Sequence, residues 1–200
     1  MHYDFIEIGT ADFDTEIERC NTYERGISVE PVLTYLNKLP NKPHVHKVLA
    51  AISNTERVAK CLYVPEEKIK ELNLPWWVRG CNTIDTYHSQ VVDVLRDKGL
   101  IPEDVIVSRN VPVHSIRTLL SMYEVTSINF LKIDTEGHDW VILASYLSMI
   151  KDGVAPKAKR IAFESNALTK KEHVDAVITA FVSLGYVLRH RGEDTVLTLD

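Results

Sequence analysis

Residues 127 to 143, which read SINFLKIDTEGHDWVIL, constrain the fold more tightly than any other stretch of the chain. Phe130, Leu131 and Ile133 form the short apolar run that a strand buried on both faces requires. Asp134 ends that run. Beyond the turn at Gly137, the residues Trp140, Val141, Leu143, Ala144 and Leu147 recur at helical spacing. A strand therefore runs into a helix through Asp134, Glu136, His138 and Asp139. In an open α/β sheet, ligands bind outside the carboxyl ends of the strands, so chemistry is expected at this junction.

The flanking sequence repeats the same rhythm. His2 to Gly9 reads as a strand ending at a glycine, and residues 10 to 15 as the loop before a helix that contains Ile17 and extends toward Tyr23. Gly26 to Glu30 is a second strand, ending in a carboxylate roughly 20 residues beyond Gly9, where nucleotide-binding α/β folds place the acid that holds ribose hydroxyls. Val32, Leu33, Leu36 and Leu39 continue as an amphipathic helix. Val45 to Ile52 is predicted as one third strand, with a turn at Ser53 and Asn54 and another strand from Val58 to Val64.

Residues 65 to 100 read as a substrate-side insertion with a helix at Ser89 to Arg96. Val105 to His114 is extended, Ser115 caps a helix through Leu120, and Ala158 to Ser165 is a buried strand bearing Glu164. Thr169 and Glu172 have capping-box spacing for a helix reaching Leu184, and Gly185 suits a left-handed residue just past it. Tyr186 to Leu199 reads as a terminal hairpin turning near Gly192. Alternating strands and helices with a closing hairpin indicate a mostly parallel, doubly wound α/β sheet.

Two hundred residues with 45% hydrophobic and 26% charged content suit one soluble domain over 1–200. A net charge of -5 opposes broad attraction to nucleic acid or anionic membrane, so neither is an expected partner. Cys20, Cys61 and Cys81 lack the paired spacing of a zinc or redox motif and read as free thiols. The first residues show no secretion leader and no apolar run is long enough to span a bilayer, so a cytoplasmic location is expected.

Four segments resemble the FkbM-like family of class I S-adenosylmethionine-dependent methyltransferases. They are Phe5-Ile-Glu7-Ile-Gly9, Ser28-Val-Glu30-Pro31, the run from Leu131 to His138, and Ile161-Ala-Phe-Glu164, which in order and spacing cover nearly the whole chain. The resemblance implies a Rossmann-like, doubly wound, mostly parallel seven-stranded sheet with a C-terminal antiparallel hairpin. It implies S-adenosylmethionine as cofactor and O-methylation of a hydroxyl on a sugar, glycan or small metabolite. Phe13 departs from the family, which usually has a second glycine there, and Asp12 and Asp14 flank it. Bulk and two carboxylates oppose a dinucleotide pyrophosphate, whereas the ammonium and sulfonium of S-adenosylmethionine tolerate an acidic loop.

On this reading Glu7, Gly9 and Thr10 neighbour the methionine part of the cofactor, Glu30 and Pro31 its ribose, and Ala51 and Ile52 its adenine, with Asp134 close by. Asp134, Glu136 and His138 are the catalytic candidates, since methyl transfer to a hydroxyl needs a base near the acceptor oxygen. Trp76, Trp77 and Arg79 suit an acceptor platform and equally suit core packing. Glu164 is expected to face Asp134 and contact the acceptor. The acids also match a divalent-metal site, but ligand spacing alone is unspecific, and contact with substrate hydroxyls without a metal is the favoured reading. Two other readings remain: a metal-dependent hydrolase around Asp134, Glu136 and Glu164, and a non-catalytic nucleotide-binding module.

Overall fold

The structure is a computed structural model that describes residues 1–199. β1 (His2–Ile8) lies in the interior of the main sheet because it is apolar on both faces: Ile6 and Ile8 enter one core, Phe5 the opposite one. α1 (Glu16–Arg19), β2 (Gly26–Val29), α2 (Leu33–Lys38) and β3 (Val45–Val48) follow. β2 pairs parallel with both β1 and β3. α1 is shorter than expected, ending at Arg19 with Tyr23 outside it and fully solvated.

The predicted strand from Val45 to Ile52 is two strands. β3 stops at Val48, and after Leu49 and Ala50 the chain enters β4 (Ala51–Ser53), which belongs to a second sheet. That sheet also contains β5 (Arg57–Tyr63), β6 (Thr83–Ile84) and β7 (Val107–Ser115), in the order β4-β7-β5-β6. Between β5 and β7 lie α3 (Glu66–Glu71), a 3-10 turn at Trp76–Arg79, α4 (Ser89–Asp97) and α5 (Pro102–Val105). Val64, Ile69, Val78, Val91 and Leu95 give this region its own apolar cluster.

The chain then returns to the main sheet. α6 (Ile116–Met122), capped by the Ser115 hydroxyl, leads to β8 (Ser127–Ile133), α7 (Asp139–Lys151), β9 (Ala158–Glu164), α8 (Lys171–Ser183), β10 (Tyr186–Arg191) and β11 (Asp194–Leu199). The expected capping box at α8 is absent, because the Thr169 hydroxyl turns away to donate to the Gly137 carbonyl at 3.3 Å. Gly185 takes the left-handed conformation expected past the helix end, with φ +97°.

The seven-stranded sheet has the order β10-β11-β9-β8-β1-β2-β3, parallel throughout except for the pairings of β11 with β9 and β10. α6, α7 and α8 cover the face that receives Ile6, Leu131 and Ile133, whereas α1 and α2 cover the Phe5 and Phe130 face. The chain runs outward from β1 to β3 and then re-enters beside β1 as β8. The strand order reverses at that point, and the loops after β1 and β8 diverge to opposite faces. Among the described residues, no helix is long and apolar enough to cross a membrane.

Candidate active site at the strand ends

The carboxyl ends of β1, β2, β8 and β9 open into one cleft of about 1200 Å³, roofed by the second sheet and the segment around Trp76. Gly9, Thr10, Glu30, Pro31, Ala51 and Ile52 all line it. So do Asp134, Glu136, His138, Glu164, Trp76 and Trp77. The split between β3 and β4 leaves Ala51 and Ile52 in the wall, because β4 crosses above the sheet edge.

Two expected residues fall outside the wall. Glu7 is completely buried beneath the cleft floor, where its two oxygens accept from Lys132 Nζ at 2.9 Å and from the Glu16 amide at 3.0 Å. Burial pushes its carboxyl up to about 7, and Lys132 opposes that rise. Glu7 thus anchors the start of α1 and does not face the cleft. Arg79 is also occupied elsewhere: its Nε donates to Asp12 Oδ1 at 2.6 Å, and its guanidinium lies 5.0 Å from the centre of the Phe13 ring. It supports the aromatic rim from behind.

These contacts correct the charge argument made for the loop after β1. The Asp12 side chain is 1% exposed and paired with both Arg79 and Lys38, while Asp14 pairs with Arg19. The loop therefore presents little net negative charge to a ligand. A different feature opposes a pyrophosphate. Two of the amide donors at the start of α1 are already used, with Glu16 N bonded to Glu7 and Glu18 N bonded to the Thr15 hydroxyl at 3.4 Å. A phosphate would meet the Glu7 carboxylate already seated at that helix start.

Glu30 is 1% exposed, and its carboxylate accepts from Ala11 N at 2.8 Å and from Val32 N at 2.7 Å. Burial raises it to about 7, against the lowering effect of these two amides. A carboxylate has about four lone-pair sites, so two remain for donors in the cleft. The conformation of the loop is thus tied to a carboxylate in the cleft wall.

Across the floor, Asp134, Glu136 and Glu164 each place one oxygen within 4.8 Å of the others. Asp134 opens to the cleft; desolvation and then the charge of Glu136 raise it to about 6. Glu164 rises further, to about 9, through desolvation and then the charges of Glu136 and Asp134. At neutral pH one carboxyl of the group therefore carries a proton while another can take one, the separation that acid–base pairs exploit. The same spacing would admit a hard divalent cation.

His138 packs under the roof, with Nε2 2.9 Å from the Ser53 hydroxyl of β4. Burial, assisted by the charge of Arg57, lowers its pKa. At the rim, Trp76 is 74% exposed and stands edge-on to Phe13 with ring centres 6.0 Å apart. Phe13 itself lines the cleft in the place of the missing glycine.

Three contributors to this geometry were assigned no role from the sequence. Lys132 lines the cleft while neutralising Glu7. Ser53 holds His138. Asp139, fully buried, accepts from Thr135 N, the Thr135 hydroxyl and Glu164 N, and so locks the turn after β8 to the end of β9. Asp139 was visible as the fourth polar residue of the opening stretch. Nothing in a linear sequence marked its partner on β9.

No curated protein and no solved structure matches the chain. The family model described as the methyltransferase FkbM domain matches residues 5–188, from the middle of β1 into β10, and the protein belongs to the FkbM methyltransferase family.

Proposed function

We propose that the protein is an S-adenosylmethionine-dependent O-methyltransferase with a Rossmann-like fold, acting on a hydroxyl of a sugar, glycan or small metabolite. The observation that carries this reading is the joint placement of Glu30 and the Asp134–Glu136–Glu164 group on one cleft beside the strand-order reversal. Family membership supports methyl transfer in general. The cofactor and the acceptor class rest on the resemblance to that family, and the chemistry of the cleft is compatible with both.

Glu30, with two acceptor sites left over, suits the paired hydroxyls of a ribose, and Ala51, Ile52 and Pro31 offer apolar surface to a base. The Glu7 carboxylate seated at the start of α1 favours a cofactor without a pyrophosphate. S-adenosylmethionine, when bound, supplies an electrophilic methyl on a sulfonium centre. The chain must orient an acceptor hydroxyl and receive its proton. Asp134, ionised at neutral pH and open to the cleft, is the acceptor of that proton. Glu164, still protonated, donates a hydrogen bond to the substrate, and His138 fixes the roof through Ser53. Trp76 offers its exposed face to a sugar ring.

Thermal unfolding with S-adenosylmethionine, S-adenosylhomocysteine, NAD and Mg²⁺ in turn tests the reading. Ligand at 100 times its dissociation constant stabilises by about 2.7 kcal/mol. The expected result is a raised midpoint with both adenosyl compounds and none with NAD. A shift with NAD or Mg²⁺ alone would replace this reading with a nucleotide-binding module or a metal-dependent hydrolase, respectively.

A further inference from the structure

Between β6 and α4, in the segment read as an insertion, His88 is 5% exposed and reaches Glu136 of the cleft wall. It forms the N-terminal cap of α4, with Nδ1 accepting from Val91 N at 3.4 Å. Its other ring nitrogen, Nε2, lies 3.0 Å from Glu136 Oε2. A neutral imidazole carries one proton. With Nδ1 accepting, that proton is on Nε2, which therefore donates to Glu136.

The tautomer decides between two roles. Cys81, His88 and Glu136 place a sulfur, a nitrogen and an oxygen within 4.8 Å of one another, a donor set that would suit zinc. A zinc ligand needs the Nε2 lone pair, which the cap has turned into an N–H. Glu136 has no other hydrogen-bond donor to its carboxylate among the described residues, although the acids Asp134 and Glu164 both crowd it. Its backbone is left-handed, with φ +53°.

We propose that His88 is a positioning residue: it caps α4 with one ring nitrogen and with the other holds the Glu136 carboxylate in place beside Asp134 and Glu164. The substrate-side segment is thereby coupled to the acidic group, so that a shift of α4 re-aims Glu136. This rests on the methyl-transfer reading for its chemical meaning, but its geometry can be tested without an acceptor.

The test is nuclear magnetic resonance on the full chain with isotope-labelled histidine and glutamate, saturated with S-adenosylhomocysteine. His88 is expected to show a bare Nδ1 and a protonated Nε2 whose proton exchanges slowly with water. Glu136→Ala should speed that exchange. His88→Asn keeps a good helix cap but is too short to reach Glu136. It should broaden the Glu136 carboxyl signal while the Val91 amide stays protected from exchange. A proton on Nδ1, its displacement from Nε2 by one equivalent of Zn²⁺, or an unaltered Glu136 signal in His88→Asn would each overturn the proposal. Failure of the methyl-transfer reading looks different: the unsubstituted protein would not bind S-adenosylhomocysteine at all.

Discussion

The α-carbon of Gly9 lies against the backbone of Asp134 so closely that a β-carbon there would stand 1.7 Å from the Asp134 carbonyl oxygen. Gly9 also has φ +82°, a conformation costly for other residues. The glycine was expected to admit a ligand. Its first duty is to let the ends of β1 and β8 meet, which brings Gly9 and Asp134 together in the wall of one cleft. Gly9→Ala is therefore expected to destabilise by about 3 kcal/mol or more, as a strained backbone and a forced separation add. Urea unfolding measures this; a loss under about 0.5 kcal/mol, the range of an ordinary surface change, would contradict it.

Glu30 holds the loop through two backbone amides and, on the proposed reading, also binds the ribose. Glu30→Gln keeps the shape but turns one oxygen into a donor that faces either Ala11 N or Val32 N. A buried donor left without an acceptor costs about 1–3 kcal/mol. Affinity for S-adenosylhomocysteine should also fall by about tenfold, the equivalent of 1.4 kcal/mol. Calorimetric titration separates the two effects. Stability lost with affinity intact would remove the ribose assignment and leave Glu30 a loop anchor.

Trp76 offers the converse case, a large exposed ring with few structural duties. Trp76→Ala is expected to leave the unfolding midpoint and S-adenosylhomocysteine affinity unchanged. Its effect should appear as weaker binding of the methyl acceptor, by about 1 kcal/mol for a lost ring contact. A fall in stability instead would show that the edge-on contact with Phe13 holds the roof together.

What the sequence revealed and what it hid follow from the range of the interactions involved. β1 and β8 were legible because strands buried on both faces must be apolar over consecutive residues. Glu30 and Asp134 were legible because a charged residue directly after such a run marks the sheet edge. The division between β3 and β4 was not, since Val48 to Ile52 is uniformly apolar apart from its partners, and only pairing with β2 or with β7 assigns each half. Asp12 looked like free charge because Lys38 and Arg79, which neutralise it, are distant in sequence. His88 and Glu136 are likewise joined only by the fold.

Five acids in and beneath the cleft predict how stability varies with pH. Glu7, Glu30 and Asp139 are each raised to about 7, Asp134 to about 6 and Glu164 to about 9, all mainly by burial. Unfolded, such carboxyls titrate near 4. The folded state therefore binds more protons between about pH 4 and 9, and the stability this gives is complete below the unfolded value and is lost as pH rises through the folded ones. His138 is shifted downward and acts oppositely, adding stability above its ordinary value, but it is one group against five. Glu56 and Glu66, held at about 2 by their hydrogen bonds, matter only as pH falls toward that value. Urea midpoints are thus expected to decline from pH 5 to 7 and again from 7 to 9. Glu164 is the only one of the five near 9, so Glu164→Gln should flatten the upper step and also lessen the lower one by that group's share, since its extra proton is held from about pH 4 upward. A midpoint that rises between pH 5 and 7 would mean that the acids fold in their ionised form, and the division of proton donor and acceptor between Glu164 and Asp134 would fall with it.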